Sequence, residues 1–360
     1  MLEDLKPSWR YVALTVLLAL TAFILFGGFL LLQNLQNAKV LMTFFAVVWG
    51  LGSVALLYFV LNQIAQSMPR RIRSVAVALV FAGPAVAFLL WALVLPTLRS
   101  LALSFMDAAG RDFVFFKNYK FAFTDPIMLE SFRNNLLWIV FGTSACVTLG
   151  LVISVLADKS RFEKVIKSLI FMPMAISFVG AGVIWKFIYA YKGEGVNVAE
   201  IGLLNAIVTA FGGEPQAWLL VPFWNNFFLI VIMVWLQTGY AMVIISAAIK
   251  GIPESINEAA RVDGAGPVRI FFNITIPSIM PTIVTVTTTI LIFSLKLFDI
   301  VRVMTGGNYG TNVIANEFYL QQFTYNNSGR ASAIAIILLV VIVPVLIYNL
   351  KQFRARSVLK

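Results

Sequence analysis

Trp9–Leu32 reads WRYVALTVLLALTAFILFGGFLLL. It opens on an aromatic and basic anchor of the kind that sits at a lipid–water interface, and after Arg10 it holds no charge. A helix rises about 1.5 Å per residue, so the run exceeds the ~20 residues needed to cross a ~30 Å hydrocarbon layer. Its length, and the lack of a small-residue cleavage site, make it a retained helix rather than a removable signal peptide. Seven further runs follow at about 41–61, 75–95, 136–156, 169–188, 226–249, 276–298 and 332–350. At ~20 residues per span, about 160 residues are then in lipid, and little chain remains for a water-soluble enzymatic domain.

The composition agrees. Hydrophobic side chains make up 60% of the 360 residues and charged ones 12%, with a mean hydropathy of +0.91. An average soluble domain is about 45–50% apolar and ~25% charged, so a soluble globular protein is excluded. The chain has no histidine, hence no imidazole metal site and no histidine base. Its single cysteine, Cys146, lies in an apolar run, where inert packing explains it.

The net charge of +11 would fit a nucleic-acid binder only if it formed a basic face on a folded domain. Its distribution fits membrane topology instead. With the N-terminus inside, segments 1–10, 62–74, 157–168, 250–275 and 351–360 hold 16 of the 27 Lys and Arg, at nearly three times the density of the outer segments. The compact clusters Arg70-Arg71-Arg73, Lys159-Arg161-Lys164 and Lys351-Arg354-Arg356 set the orientation. The expected fold class is all-α: a polytopic membrane protein of about eight transmembrane helices, with both termini cytoplasmic and lipid, not nucleic acid, against its basic ends.

The fifth span carries Pro173, Gly180 and Gly182. Ordinary packing through small residues and a pore-lining break both account for them. Of the 16 acids only Asp299 approaches a span interior, at the outer end of the seventh. Buried acids are the usual mark of proton coupling, so a proton-coupled carrier is disfavoured. No obvious inverted repeat and no G-x-x-x-x-G-K-[ST] phosphate loop are present, so the chain cannot hydrolyse ATP alone. No catalytic residue and no metal site are expected. Lys186 and Lys296 are the basic residues within spans, each near an outer edge. They read either as snorkelling side chains or as groups facing an outer vestibule, with Lys296 and Asp299 one turn apart as a pair.

The inner segment between the sixth and seventh spans reads KGIPESINEAARVDGAGPVRIFFNITIP, Lys250 to Pro277. Pro253 suits a first helical position, Glu254 complements the helix dipole, and Gly264 or Gly266 supplies a left-handed stop. Pro267 starts a second short helix, which Pro277 ends. Ile256, Ala259, Ala260 and Val262 give a small apolar face, flanked by Glu258 and Asp263. That suits a helix lying in another protein's groove. An amphipathic connector resting on headgroups would carry more Lys and Arg.

The run Glu258-Ala259-Ala260-x-x-Asp263-Gly264-Ala265, followed by Phe271, Ile274, Pro277 and Pro281, resembles the EAA motif of binding-protein-dependent ABC transporter permeases. It stands between the third-last and second-last spans, as in that family. Three further stretches resemble the sugar-importer branch that includes the maltose-type permeases. They are Asn118-Tyr119 with Asp125 and Asn134-Asn135, Trp235 with Tyr240 and Met242, and Phe298-Asp299 with Met304-Thr305-Gly306-Gly307. The likeness covers about 116–355; residues 1–110 match only in span number. Ile276 stands where the family usually has Leu, a volume-conserving change, and Asn308-Tyr309 where it often has Gly and Pro.

The resemblance implies a prokaryotic inner-membrane permease subunit paired with a second permease, expected as a heterodimer. It also implies two ATPase subunits that bind the ATP and Mg, and an extracytoplasmic solute-binding protein. Glu258, Ala259, Ala260, Asp263 and Gly264 would form the ATPase-coupling loop, with Glu258 pairing a basic residue of an ATPase and Gly264 making the bend. Tyr240, Gln237, Leu236, Met174, Phe178 and Ser294 match the sugar path. There aromatic faces stack on a pyranose while Gln, Ser and Tyr bond its hydroxyls. Met174 and Phe178 replace a tyrosine and a serine of the maltose pattern, so a smaller or less hydroxylated glycoside is implied rather than maltose. The expected organisation is three accessory helices over 1–110, an extracytoplasmic segment 111–135, a permease core 136–350 with coupling loop 250–275, and a cytoplasmic tail 351–360. The expected function is ATP-driven import of a sugar or sugar-like compatible solute. The alternatives are a non-sugar solute on the same kind of assembly, a self-sufficient carrier or channel, and a membrane enzyme.

Overall fold

The computed structural model describes residues 7–34, 38–192 and 202–357. Residues 1–6 and 358–360, which carry part of the inner charge, and 193–201 of the expected outer segment lie outside the described residues. The chain divides into two compact units, Met1–Leu98 and Arg99–Lys360. Among the described residues the structure is helical, with one isolated antiparallel bridge between Met106 and Phe113.

The first unit is built from α1 (Pro7–Asn34), α2 (Lys39–Gln66) and most of α3 (Arg71–Leu103). Consecutive helices pack in pairs, and Tyr58 of α2 stacks on Phe81 of α3 with ring centroids 5.9 Å apart. Phe23, Phe26, Phe44, Leu51, Phe88 and Trp91 point outward and are well exposed. Helices apolar on every side, with so little buried between them, are suited to hydrocarbon as their solvent.

The second unit holds α4 (Lys117–Thr124), α5 (Pro126–Asp158), α6 (Glu163–Ala175), α7 (Phe178–Ile188), α8 (Leu203–Ala210), α9 (Trp224–Lys250), α10 (Glu254–Val262), α11 (Pro267–Leu295), α12 (Asp299–Met304), α13 (Ile314–Tyr319) and α14 (Ser328–Ser357). Helix α5 starts where its sequence directs: Asp125 caps it by accepting from the Ile127 N–H at 3.0 Å, and Pro126 fills the first position. Helix α9 is the axis of the unit and packs against α5, α6, α11 and α12. Its buried Leu229, Ile232, Met233, Leu236, Ala241 and Ile245 form one core with Trp138 and Cys146 of α5 and Val286 and Ile290 of α11. Cys146 is fully buried, as its apolar run implied.

Among the described residues, seven helices are long and apolar enough to cross a membrane. The expected fifth span is not one of them: α6 and α7 are bent by 103° at a short break. Pro173 lacks the N–H needed to continue the helix, Met172–Ala175 tightens into a 3₁₀ turn, and Ser177 caps α7 by accepting from the Gly180 N–H at 3.0 Å. The pair still makes one crossing. The first turns of α5 and α9 both bond the loop after α12, and their last turns meet in an ion cluster at the other end. The two helices therefore run parallel, so the segment between them returns across the layer. Consistently, the Tyr189 hydroxyl just after α7 donates to the Phe228 carbonyl near the start of α9 at 2.9 Å.

Pro277 does not end a second short helix, contrary to the sequence expectation. Pro267–Leu295 is one helix, widened by a π turn at Phe271–Thr275 in which the Ile276 N–H reaches the Phe271 carbonyl. A π turn at Leu90–Val94 stands in the same place before Pro96. The wide turn displaces the carbonyl four residues back, with which the proline ring would clash in a regular helix.

Candidate transport path and coupling loop

Helix α9 joins the two expected sites. Its middle carries Leu236, Gln237 and Tyr240, and after Lys250 three residues lead into α10 with its EAA-like run. Pro253 is the N-cap of α10 rather than its first helical residue, and Glu254 takes that place. The C-terminal stop is Gly264, at φ +79°; Gly266 is extended at φ −72°. The Ala265 N–H donates to the Ala260 carbonyl at 2.9 Å and the Gly264 N–H to Arg261 at 3.0 Å, the paired bonds of a Schellman ending. The cap buries Ala260 and leaves Glu258, Ala259, Asp263 and Gly264 exposed. Beside them Ile256 and Val262 are also exposed, the latter at 87%, so α10 projects an acidic and apolar surface.

The path residues separate into two groups. Leu236 and Gln237 are buried and Tyr240 is half-buried on α9. Between them Gly239 lies flat on α6, where a Cβ would meet the Ile170 carbonyl and come within 2.7 Å of Phe171 Cα. Glycine is what lets α9 pass this close to the arm of the broken span. Met174 is exposed beside the break, and Phe178 begins the second arm with its ring 5.9 Å from Phe293 of α11. A cavity of about 310 Å³ opens here, lined by Phe178, Ile292, Phe293, Lys296, Leu297, Phe298 and Asp299. It brings Phe178 together with the two expected vestibule residues.

Lys296 and Asp299 are not paired as their spacing suggested. Helix α11 stops at Leu295 and α12 starts at Asp299, so the two are not on one helical turn, and no ion pair joins them among the described residues. Ser294 points away from the cavity: it is fully buried, 3.2 Å from Thr143 Oγ1 of α5, and donates to the Ile290 carbonyl at 3.1 Å. It belongs to the seam between α5 and α11.

Above the cavity, side-chain amides hold the loop after α12. Asn134 donates to the carbonyls of Gly310 and Asn312 at 2.9 and 2.8 Å, Asn225 to Tyr309 at 2.7 Å and Asn226 to Gly310 at 3.2 Å. Asn135 accepts from the Ile314 N–H at 2.8 Å. The loop has no secondary structure to satisfy its carbonyls, and the buried amides do so. Asn134-Asn135, quoted above for their resemblance, thus hold the segment that directly follows Thr305-Gly306-Gly307. The sequence reading missed Asn225 and Asn226, and a run of two asparagines opening a span was the signal for both.

An all-helical, multi-span chain with a broken crossing, a lined cavity and a projecting helix–turn–helix has the form of a transporter's membrane subunit. Residues 146–357 match the family described as binding-protein-dependent transport system inner membrane component, and the chain belongs to that family. It is 56% identical over 280 residues to the osmoprotective compounds uptake permease protein GgtC of Synechocystis sp., covering 78% of this chain and 100% of that one. It is 48% identical over 278 residues to the alpha-glucoside transport system permease protein AglF of Rhizobium meliloti, covering 77% and 82%. Among solved structures, a chain of a bacterial ABC transporter that imports the acidic polysaccharide alginate superposes with a TM-score of 0.64 at 20% identity, over 79% of this chain and 98% of that one. The fold is shared with that transporter.

Proposed function

We propose that this inner-membrane permease imports a neutral, multiply hydroxylated solute, a glycoside or glycoside-like compatible solute, handed to it by an extracytoplasmic binding protein. A second permease subunit completes the path, and two ATPase subunits, which bind the ATP and Mg, drive it. The observation that carries this reading is the continuity of α9. One uninterrupted helix runs from Leu236, Gln237 and Tyr240 to Lys250, and only Gly251, Ile252 and Pro253 separate it from the exposed α10. A force applied at Glu258 and Asp263 therefore has only this three-residue turn to cross before the helix that carries Leu236, Gln237 and Tyr240.

The residues of the cavity and of the middle of α9 support this solute class. Phe178, Phe293 and Phe298 offer apolar faces for a sugar ring, Tyr240 and Gln237 offer hydrogen bonds, and Lys296 and Asp299 present one charge of each sign at the mouth. The names of the two relatives above, an uptake permease for osmoprotective compounds and an alpha-glucoside permease, support the same class. Helices rocking about the break between α6 and α7 would expose the path alternately to each side.

The test is Glu258→Lys in the complete transporter. Solute uptake should vanish and the ATPase subunits should co-purify poorly, with the chain still inserted in the membrane. Normal uptake by that variant, or uptake by the purified chain without ATPase subunits, sinks the reading.

A further inference from the structure

At the inner end of the second unit five polar side chains from three helices share one site. Asp158 ends α5, Glu163 and Lys167 stand in the first turns of α6, and Ser246 and Lys250 in the last turns of α9. The Lys167 ammonium is 2.5 Å from Asp158 Oδ1 and 2.6 Å from Glu163 Oε1, and also donates to Ser246 Oγ. Ser246 Oγ in turn donates to Asp158 Oδ1 at 2.7 Å. Lys250 pairs with Glu163 and lies 4.0 Å from Asp158 Oδ1. Ser246 is buried, and the Asp158 and Lys167 side chains are only 12% and 19% exposed.

Holding three helices together does not by itself require charge. Well-packed apolar side chains usually do so at least as well, because desolvating ions offsets their attraction. What charge adds here is direction: one ammonium meets Asp158 of α5, Glu163 of α6 and Ser246 of α9, which fixes how the three helix ends stand against one another. Asp158 Oδ2 is buried without a hydrogen bond, and half-exposed Lys250 sits between two carboxylates. Lys167 stands five residues before the 3₁₀ turn at Met172, hence next to the break carrying Met174 and Phe178. Lys250 stands four residues before Glu254, where α10 starts.

We propose that Asp158, Lys167 and Ser246 are positioning residues of the transport cycle. They clamp the α6 arm of the broken span to the end of α9, so that displacement of α10 is delivered to the break at Met174 and Phe178. This rests on the importer reading above, and the experiment separates the two.

The complete transporter is reconstituted in vesicles with its binding protein, and uptake of radiolabelled methyl α-glucoside and ATP hydrolysis are measured together. Wild-type uptake that needs no ATP refutes the importer reading before any variant is compared. With wild type coupled, Lys167→Met should retain ATP hydrolysis but lower the glucoside carried per ATP at least about fivefold, and Lys167→Arg should restore it. An unchanged ratio, or parallel loss of both activities, overturns the clamp.

Where this glucoside is not carried, spin labels on Lys164→Cys and Ala247→Cys give the answer directly, since the one native thiol, Cys146, is buried. The clamp requires a single distance with and without nucleotide, and its splitting on nucleotide binding when Lys167→Met is added. Two distances with the cluster intact, or one unchanged distance in the Lys167→Met background, overturns it.

Discussion

Replacing Asn134 by leucine removes the amide that bonds two carbonyls of the outer loop without much change of volume. The Gly310 carbonyl keeps a second donor, Asn226 Nδ2 at 3.2 Å, whereas the Asn312 carbonyl has Asn134 as its donor among the described residues. The change therefore loses both bonds to the loop, together with two from the exposed Arg133 guanidinium that water can replace, and orphans one buried acceptor. At ~1 kcal/mol for the Gly310 bond and about 1–3 kcal/mol for the Asn312 carbonyl left unpaired, the second unit is destabilised by ~2–4 kcal/mol. The contrasting substitution is Asn226→Leu. It leaves Gly310 bonded through Asn134 and removes an amide oxygen that is already buried without a partner, so its expected cost is about 1 kcal/mol or less. For a domain of this size each kcal/mol moves the unfolding midpoint by about 2 °C. Thermal unfolding in detergent should show Asn134→Leu melting ~4–8 °C below wild type and Asn226→Leu within ~2 °C. Hydrogen exchange should accelerate at Gly306–Val313 in the first variant. Equal melting of the two variants, or unchanged exchange in that loop for Asn134→Leu, would refute the assignment of Asn134 as the anchor.

Two further outcomes follow from positions described above. Gly264→Val places a β-branched residue at φ +79° in open space, so the expected loss of ~1–2 kcal/mol is purely backbone strain at the end of α10. It should weaken retention of the ATPase subunits on an affinity column with no change in the chain's own melting above ~4 °C; full retention argues against a role for the bend. Tyr240→Ala should lower uptake of the native solute more than it lowers binding-protein-stimulated ATP hydrolysis. Equal losses in both assays count against a contact with the solute.

The spans were legible because a continuous apolar run has few other ways to satisfy its backbone in lipid. The breaks were not. Pro173 was visible in the sequence, yet the 103° bend also depends on Ser177 as a cap and on Gly239 of another helix lying against Ile170. Pro277 was read as a stop because a proline clashes with the carbonyl four residues back, and a π turn moved that carbonyl aside. The spacing of Lys296 and Asp299 implied a pair only on a continuous helix, and α11 ends at Leu295. The inner cluster was invisible for a different reason. Glu163 and Lys167 are neighbours in sequence, but Asp158, Ser246 and Lys250 reach them only once α5, α6 and α9 are side by side. The EAA-like loop was legible because all of its geometry is local, down to the bend at Gly264.

The π turn at Phe271–Thr275 also acts as a phase setting. A single residue corresponds to about 100° of rotation around a helix. Deleting one residue between Phe271 and Thr275 would leave the hydropathy of α11 almost unaltered and its length within a residue of the original. It would nonetheless turn Gly266, and with it the azimuth at which α10 offers Glu258 and Asp263, by roughly a quarter of a circle relative to the face of α11 that carries Phe293. The spacing between Gly266 and Pro277 thus determines the direction in which the chain points the exposed side of α10, a quantity that neither the apolar pattern nor the motif itself records.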